Sequence, residues 1–157
     1  MIKVKCRTAY KISAIPFDVA TSLYEQLRTE IVWGEGVRSK YGFTRKAKLI
    51  SDDDPHFEEL LQYIHVCLKQ LTTQSYIIDF FYLNYYEDGN MYSPNHSHKD
   101  SHQLIISLGE ERILKINKTE YSMKNGDAVI FGSAIHGVPK SNTMHGRISI
   151  ATFMRPV

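Results

Sequence analysis

The apolar positions of this chain change period about halfway along it. Phe17, Ala20, Leu23, Leu27 and Ile31 recur at helical spacing behind Pro16, a residue suited to a first helical turn, and Gly34 and Gly36 stop the pattern. A second helical stripe runs through Phe57, Leu60, Leu61, Ile64, Cys67, Leu68 and Leu71. Asp53, Asp54 and Pro55 suit its start, and Thr72, Thr73 and Gln74 close it. From Tyr76 onward the runs are short, aromatic and β-branched. Tyr76 to Tyr86, Gln103 to Leu108, Arg112 to Ile116, Ala128 to Phe131 and Arg147 to Met154 read as strands. Asp88–Gly89, Gly109–Glu110, Asn125–Gly126 and His136–Gly137 read as the turns between them. Ile2, Val4 and Cys6 alternate with basic residues and suggest a short opening strand, and the basic segment Arg38 to Ile50 has some strand character. Two helices followed by many short strands predict an α+β fold whose strands close into a sandwich or barrel.

Length and composition narrow this further. A chain of 157 residues fits one domain, here taken as 1–157, with helices in 1–75 and a strand core in 76–157. Such a chain buries a core without disulfides or structural metal, so a metal site in it points to function rather than folding. Cys6 and Cys67 are not spaced as a zinc knuckle and suggest a reducing compartment. The first residues do not resemble a signal peptide, and no apolar run approaches a membrane span, so a soluble intracellular protein with no membrane partner is expected, a monomer being the favoured state. The net charge of +2 neither announces nor excludes a nucleic-acid partner.

The run Asn95-His96-Ser97-His98-Lys99-Asp100-Ser101-His102 concentrates three histidines and one aspartate just before a strong apolar strand. In an extended chain residues i and i+2 point to the same side, so His98 and Asp100 can present an imidazole and a carboxylate to one ion. A third ligand from elsewhere would complete the two-histidine, one-carboxylate face of non-haem iron(II) oxygenases. His136 is the best third ligand, at a strand-to-turn junction before Gly137, and His145 is weaker. The pair His96-x-His98 is a rival that would favour zinc or a cupin-like site with different ligands. A histidine-rich run is also, in the plainest reading, a solvated loop.

An oxygenase of this class needs a cation for the far carboxylate of 2-oxoglutarate, and the fork of an arginine suits it. Arg147 starts the last strand, with Ser149 on the same face, and Asn84-x-Tyr86 places an amide and a phenol on one side of another strand.

With these pieces in order, the chain resembles the AlkB-like branch of the iron(II)/2-oxoglutarate dioxygenases over roughly Phe81 to Arg155. The elements that carry the resemblance are Leu83-Asn84-Tyr85-Tyr86-Glu87-Asp88-Gly89, His98-Lys99-Asp100, Ser107-Leu108-Gly109, Asn125-Gly126-Asp127, His136 and Arg147-x-Ser149. The resemblance implies a double-stranded β-helix, or jelly-roll, with the two N-terminal helices packed on one sheet. It implies Fe(II) held by His98, Asp100 and His136, with O2 and 2-oxoglutarate as cosubstrates and Asn84, Tyr86 and Arg147 contacting the latter. It also implies oxidative removal of alkyl groups from nucleobases of DNA or RNA, the carbon leaving as formaldehyde. Lys40 to Lys48 resembles the family's nucleotide-recognition lid, with Tyr41, Arg45 and Lys46 as substrate contacts and Trp33 and Tyr41 offered for stacking. The chain departs from the family in two places. Phe153 stands where a second arginine is common, and His102 stands where an acid faces the substrate. Hydroxylation of a protein side chain or small molecule, and a non-catalytic metal-binding jelly-roll, are the alternatives.

Overall fold

The computed structural model describes residues 8–36, 38–39, 42–98 and 101–157, with 38–39 and 42–43 given by their backbone alone. The opening strand expected over Ile2, Val4 and Cys6, together with Tyr41 and Asp100, lies outside the described residues. The elements in chain order are β1 (Tyr10–Ser13), α1 (Phe17–Glu30), β2 (Gly34–Glu35), β3 (Arg38–Ser39), β4 (Gly42–Phe43), β5 (Lys46–Ile50) and α2 (Phe57–Leu71). Then follow β6 (Tyr76–Tyr86), β7 (Ser93–His96), β8 (His102–Gly109), β9 (Arg112–Ile116), β10 (Thr119–Met123), β11 (Asp127–Phe131), β12 (His136–Val138) and β13 (Arg147–Pro156).

The strands form a seven-stranded sheet in the order β1-β11-β8-β13-β6-β5-β2, a four-stranded sheet in the order β10-β9-β12-β7, and the small β3-β4 pair. Two stacked antiparallel sheets with helices on the outer face of the larger one make the expected double-stranded β-helix. The central strands β8 and β13 are buried on both faces because both faces are covered. On the outer face, Leu104, Ile106 and Leu108 of β8, Ile148 and Ile150 of β13, and Phe81 and Leu83 of β6 meet Leu23 and Leu27 of α1 and Leu60 and Ile64 of α2 in one core. Phe57 of α2 stacks on Phe81, ring centroids 5.2 Å apart, and fixes that helix to the sheet. On the inner face a second core forms from Ile105, Val129, Phe131 and Ala151 of the large sheet with Leu114, Ile116 and Val138 of the small one.

Cross-strand partners share a face, so the register lays out the inner surface as a grid. One row is Ser107–Ser149–Asn84–Ala47, the row beside it Ile105–Ala151–Tyr82–Leu49, and the next Gln103–Phe153–Phe80. Beyond the serine row lie Gly109, Arg147 and Tyr86. Polar groups therefore concentrate at one end of the inner face and aromatic groups at the other.

The Asn125–Gly126 turn joins this frame to α1. Asn125 donates to Thr21 Oγ1 at 2.9 Å and accepts from the Gly109 amide at 2.9 Å. Gly126 has a φ of +94°, and a Cβ there would collide with the carbonyl of Ile15. Gly126→Ala combines a left-handed backbone with that collision and is expected to cost about 2–3 kcal/mol. Urea denaturation checks this; a change under about 0.5 kcal/mol, the scale of an inert surface substitution, would refute it.

Candidate active site

The open end of the sandwich holds a cavity of about 670 Å³. Its lining includes His96, His98 and His136, the polar group Asn84, Tyr86, Arg147 and Ser149, and the aromatic group Phe80, Tyr82 and Phe153.

The histidines come from the small sheet and the loop beside it. His136 is not at a turn, as its Gly137 neighbour suggested, but opens β12 and pairs directly with His96 of β7 and Ile116 of β9. The ladder between β12 and β7 shifts register after His136. Gly137 permits this close approach: a Cβ at 137 would sit 2.5 Å from Asn95 Oδ1 and 2.8 Å from the Ser93 carbonyl oxygen. The ring of His136 is packed against Phe131 at 4.9 Å and His96 at 4.3 Å. His98 lies edge-on to Phe153 at 4.8 Å and 5.5 Å from His136. One ligand nitrogen from each of His96, His98 and His136 lies within 4.8 Å of the others.

Nδ1 of His136 donates to the carbonyl of Ala134 at 2.9 Å. A carbonyl oxygen only accepts, so the proton sits on Nδ1 and the Nε2 lone pair is left for a metal. Burial pushes the His136 imidazolium down to about 4, and burial also lowers His98, helped by the neighbouring His96. Both rings therefore favour the neutral, metal-binding form.

Desolvation of His136 has a stability consequence in metal-free protein. Above the unfolded value of about 6.5 both states are neutral and its contribution to stability is complete. As pH falls from there to about 4, the unfolded chain takes a proton that the folded chain refuses, and stability is lost through that window. From pH 7.5 to pH 5 the loss assigned to this residue is about 2 kcal/mol. Denaturation in the presence of chelator should show that much less pH dependence in His136→Gln than in the native protein, and equal dependence in the two would contradict it.

Across the cavity, Arg147 is only 1% exposed. Its Nε donates to Ser107 Oγ at 2.7 Å, while Nη1 and Nη2 have no partner among the described residues. Its guanidinium carbon lies 5.4 Å from the centre of the Tyr86 ring, and burial lowers its pKa to about 10. A buried cation with two unused donors at the floor of a cavity is built to receive an anion with paired oxygens. Asn84 Nδ2 donates to Ser149 Oγ at 3.4 Å, and Asn84 Oδ1 accepts from Arg45 Nε at 2.8 Å. The four polar residues singled out in the sequence are thus gathered in one place.

The other expected substrate contacts divide. Arg45 turns into the cavity, bonded to Asn84 and to Thr44 Oγ1 at 2.9 Å, instead of facing solvent. Lys46 pairs with Glu87 at 3.1 Å, in register with Tyr85 on the helix-side face. His102 is also on that face: it pairs with Met154, and its Nδ1 meets the Tyr76 hydroxyl at 2.8 Å. The position at which the resemblance implied a substrate-facing acid thus lies on the helix side of the sheet here. Trp33 packs on Tyr85, ring centroids 5.1 Å apart, and His145 is exposed in the loop before β13. Neither lines the cavity.

Two residues of the site carried no role in the sequence reading. Ser107 orients Arg147, and its signal was a hydroxyl interrupting an apolar strand two residues before Gly109. Arg112 lies 5.2 Å from the Tyr86 ring, on which Arg147 also rests, and donates to the carbonyls of Asp88, Met91 and Pro139.

No protein-family model matches the chain, and no curated protein matches it in sequence. Solved structures do match. The structure of OsALKBH1 aligns with a TM-score of 0.65 at 13% identity, over 97% of this chain and 100% of that one. An oxidoreductase of the 2OG-Fe(II) oxygenase family from Burkholderia pseudomallei gives 0.64 at 13% identity, over 94% and 85%. A prolyl hydroxylase from Trichoplax adhaerens, in complex with a hypoxia inducible factor oxygen degradation domain peptide fragment, gives 0.63 at 13% identity, over 95% and 84%. What the chain shares with them at these identities is the fold.

Proposed function

We propose that this protein is a non-haem iron(II), 2-oxoglutarate-dependent oxygenase. The observation that carries the reading is the pairing, in one cavity, of a histidine cluster with a buried Arg147 whose two terminal nitrogens are unpartnered. His98 and His136, with Asp100 from the adjoining stretch, would hold iron(II). Nitrogen and carboxylate donors fit that ion. When bound, iron(II) supplies O2 activation coupled to decarboxylation of 2-oxoglutarate to succinate, with the other oxygen atom inserted into a C–H bond.

The chain's own residues have defined tasks in this scheme. Arg147 grips the far carboxylate through Nη1 and Nη2, and Ser107 fixes the guanidinium through Nε. Ser149 and Asn84 offer a hydroxyl and an amide beside it, and Tyr86 underlies the cation. Phe80 and Phe153, stacked at 4.9 Å, form an apolar wall next to His98 that keeps water from the reacting end and seats a flat or ring-shaped group.

That wall suits either an alkylated nucleobase in DNA or RNA or a side chain of a polypeptide. The disposition of the basic residues favours the polypeptide: Arg45 is engaged inside the cavity and Lys46 is paired, so neither is presented for a phosphate backbone. Prolyl hydroxylases among the fold neighbours support the same direction.

The test is succinate release by purified protein given iron(II), ascorbate, O2 and 2-oxoglutarate, with prolyl peptides and methylated oligonucleotides as parallel panels. Peptide-stimulated turnover supports the favoured reading, and methyl loss from oligonucleotides would replace it with the nucleobase reading. If no panel member and no metal elicits 2-oxoglutarate consumption, the oxygenase reading fails.

A further inference from the structure

We infer that His96 is a ligand of the metal centre, so that the resting site presents three imidazoles to the ion and not two. The oxygenase reading underlies this assignment only in naming the metal as iron. Ligation itself follows from the arrangement of the three rings.

His96 is built for coordination in the same way as His136. The two residues are direct cross-strand partners on β7 and β12, so their side chains rise from the same face. Each ring is tethered through Nδ1 to the carbonyl two residues before it: His96 to Pro94 at 2.7 Å and His136 to Ala134 at 2.9 Å. Since a carbonyl cannot donate, each tether fixes a proton on Nδ1 and leaves Nε2 as the lone-pair donor. His98 closes the group, its ring centroid 4.9 Å from that of His96. Donor nitrogens within 4.8 Å of one another need only small side-chain movements to meet one ion at metal–nitrogen distances of about 2.1 Å. Such a nitrogen-rich set takes borderline divalent cations, Fe(II), Co(II) or Zn(II), and does not depend on a carboxylate to retain them.

His96 stands half-buried on β7, an edge strand of the small sheet, so its ring is reached from the open end of the cavity that it lines.

Copper(II) is the probe, because nitrogen hyperfine structure in its electron paramagnetic resonance spectrum counts equatorial imidazoles. Metal-free native protein loaded with one equivalent should show three. A count of two overturns the inference without reference to any variant. Cobalt(II) affinity, measured by chelator competition, should fall tenfold or more in His96→Gln and less than threefold in His102→Gln, whose ring lies on the other face. Equal losses in the two variants, or none in His96→Gln, also overturn it. Failure of the native protein to consume 2-oxoglutarate, with three imidazoles still counted, removes the oxygenase reading and leaves the three-histidine centre standing.

Discussion

Arg147→Met is expected to make the ligand-free protein more stable while abolishing its affinity for 2-oxoglutarate. The guanidinium is 1% exposed, holds one hydrogen bond through Nε, and carries two terminal nitrogens with no partner among the described residues. Burial lowers its pKa to about 10, which means the fold disfavours the charge it contains. Replacing a poorly compensated buried ion with an apolar side chain of similar length typically stabilises by about 1–3 kcal/mol. That corresponds to a rise in Tm of roughly 2–4 °C per kcal/mol for a chain of this size. Binding should move the other way. Two charge-assisted hydrogen bonds contribute about 1.5–3 kcal/mol each, so their loss should weaken 2-oxoglutarate binding by about 10²-fold or more. Calorimetric titration and a thermal melt on the same sample check both halves. A variant that melts lower, or one that binds 2-oxoglutarate as tightly as the native protein, contradicts the role assigned to this residue.

The same substitution at Arg112 should have the opposite sign. Arg112 is 2% exposed and lies against the same tyrosine ring, but its terminal nitrogens are used. Nη1 donates to the Asp88 carbonyl at 3.2 Å, and Nη2 to the Met91 and Pro139 carbonyls at 2.8 Å each. Those carbonyls belong to the loops after β6 and β12, which the guanidinium joins. Arg112→Met strands all three acceptors and is expected to destabilise by about 3–5 kcal/mol. Against a total stability of about 5–15 kcal/mol, this is a large fraction. Urea denaturation reads it, and a loss below about 1 kcal/mol would mean that water satisfies those carbonyls as well as the arginine does. Two buried arginines on one tyrosine thus differ at their terminal nitrogens: those of Arg147 have no partner among the described residues and are open to the proposed ligand, and those of Arg112 are spent on the fold.

Much of this architecture was legible because burial imposes a period. Leu23 and Leu27 marked α1, Leu60 and Ile64 marked α2, and both helices pack on the large sheet through those residues. β6 was read at its observed bounds, Tyr76 to Tyr86, because aromatic and β-branched residues crowd it. The small sheet was harder to read. β7 is Ser-Pro-Asn-His, whose proline is tolerated because the strand is an edge and needs a ladder on one side only. β12 is three residues long with glycine at its centre, too short for any alternation to show. Because His96 and His136 lie on these two strands, their pairing was invisible until the ladder was seen, and His96 entered only as a rival to the His98–Asp100 reading. Arg147, Ser149, Asn84 and Tyr86 were legible because they lie on long strands whose period fixes the direction of each side chain. Arg45 was singled out only as a contact in the expected lid, and its bond to Asn84 brings it into the cavity beside the polar group.

Under the proposed function, depth within the cavity would set an order of events. Arg147, Tyr86 and Ser149 form the floor, each no more than 4% exposed, while Tyr82 stands at the rim with 37% of its surface in solvent. A small diacid seated on the floor is sealed in once a larger molecule lies across the rim. Arrival would then be sequential, the diacid first, and departure would reverse it, with the diacid remnant last out. Under this queue, excess of the larger molecule without its small companion blocks the entrance, and initial rates should fall at high concentration in a manner that added 2-oxoglutarate relieves.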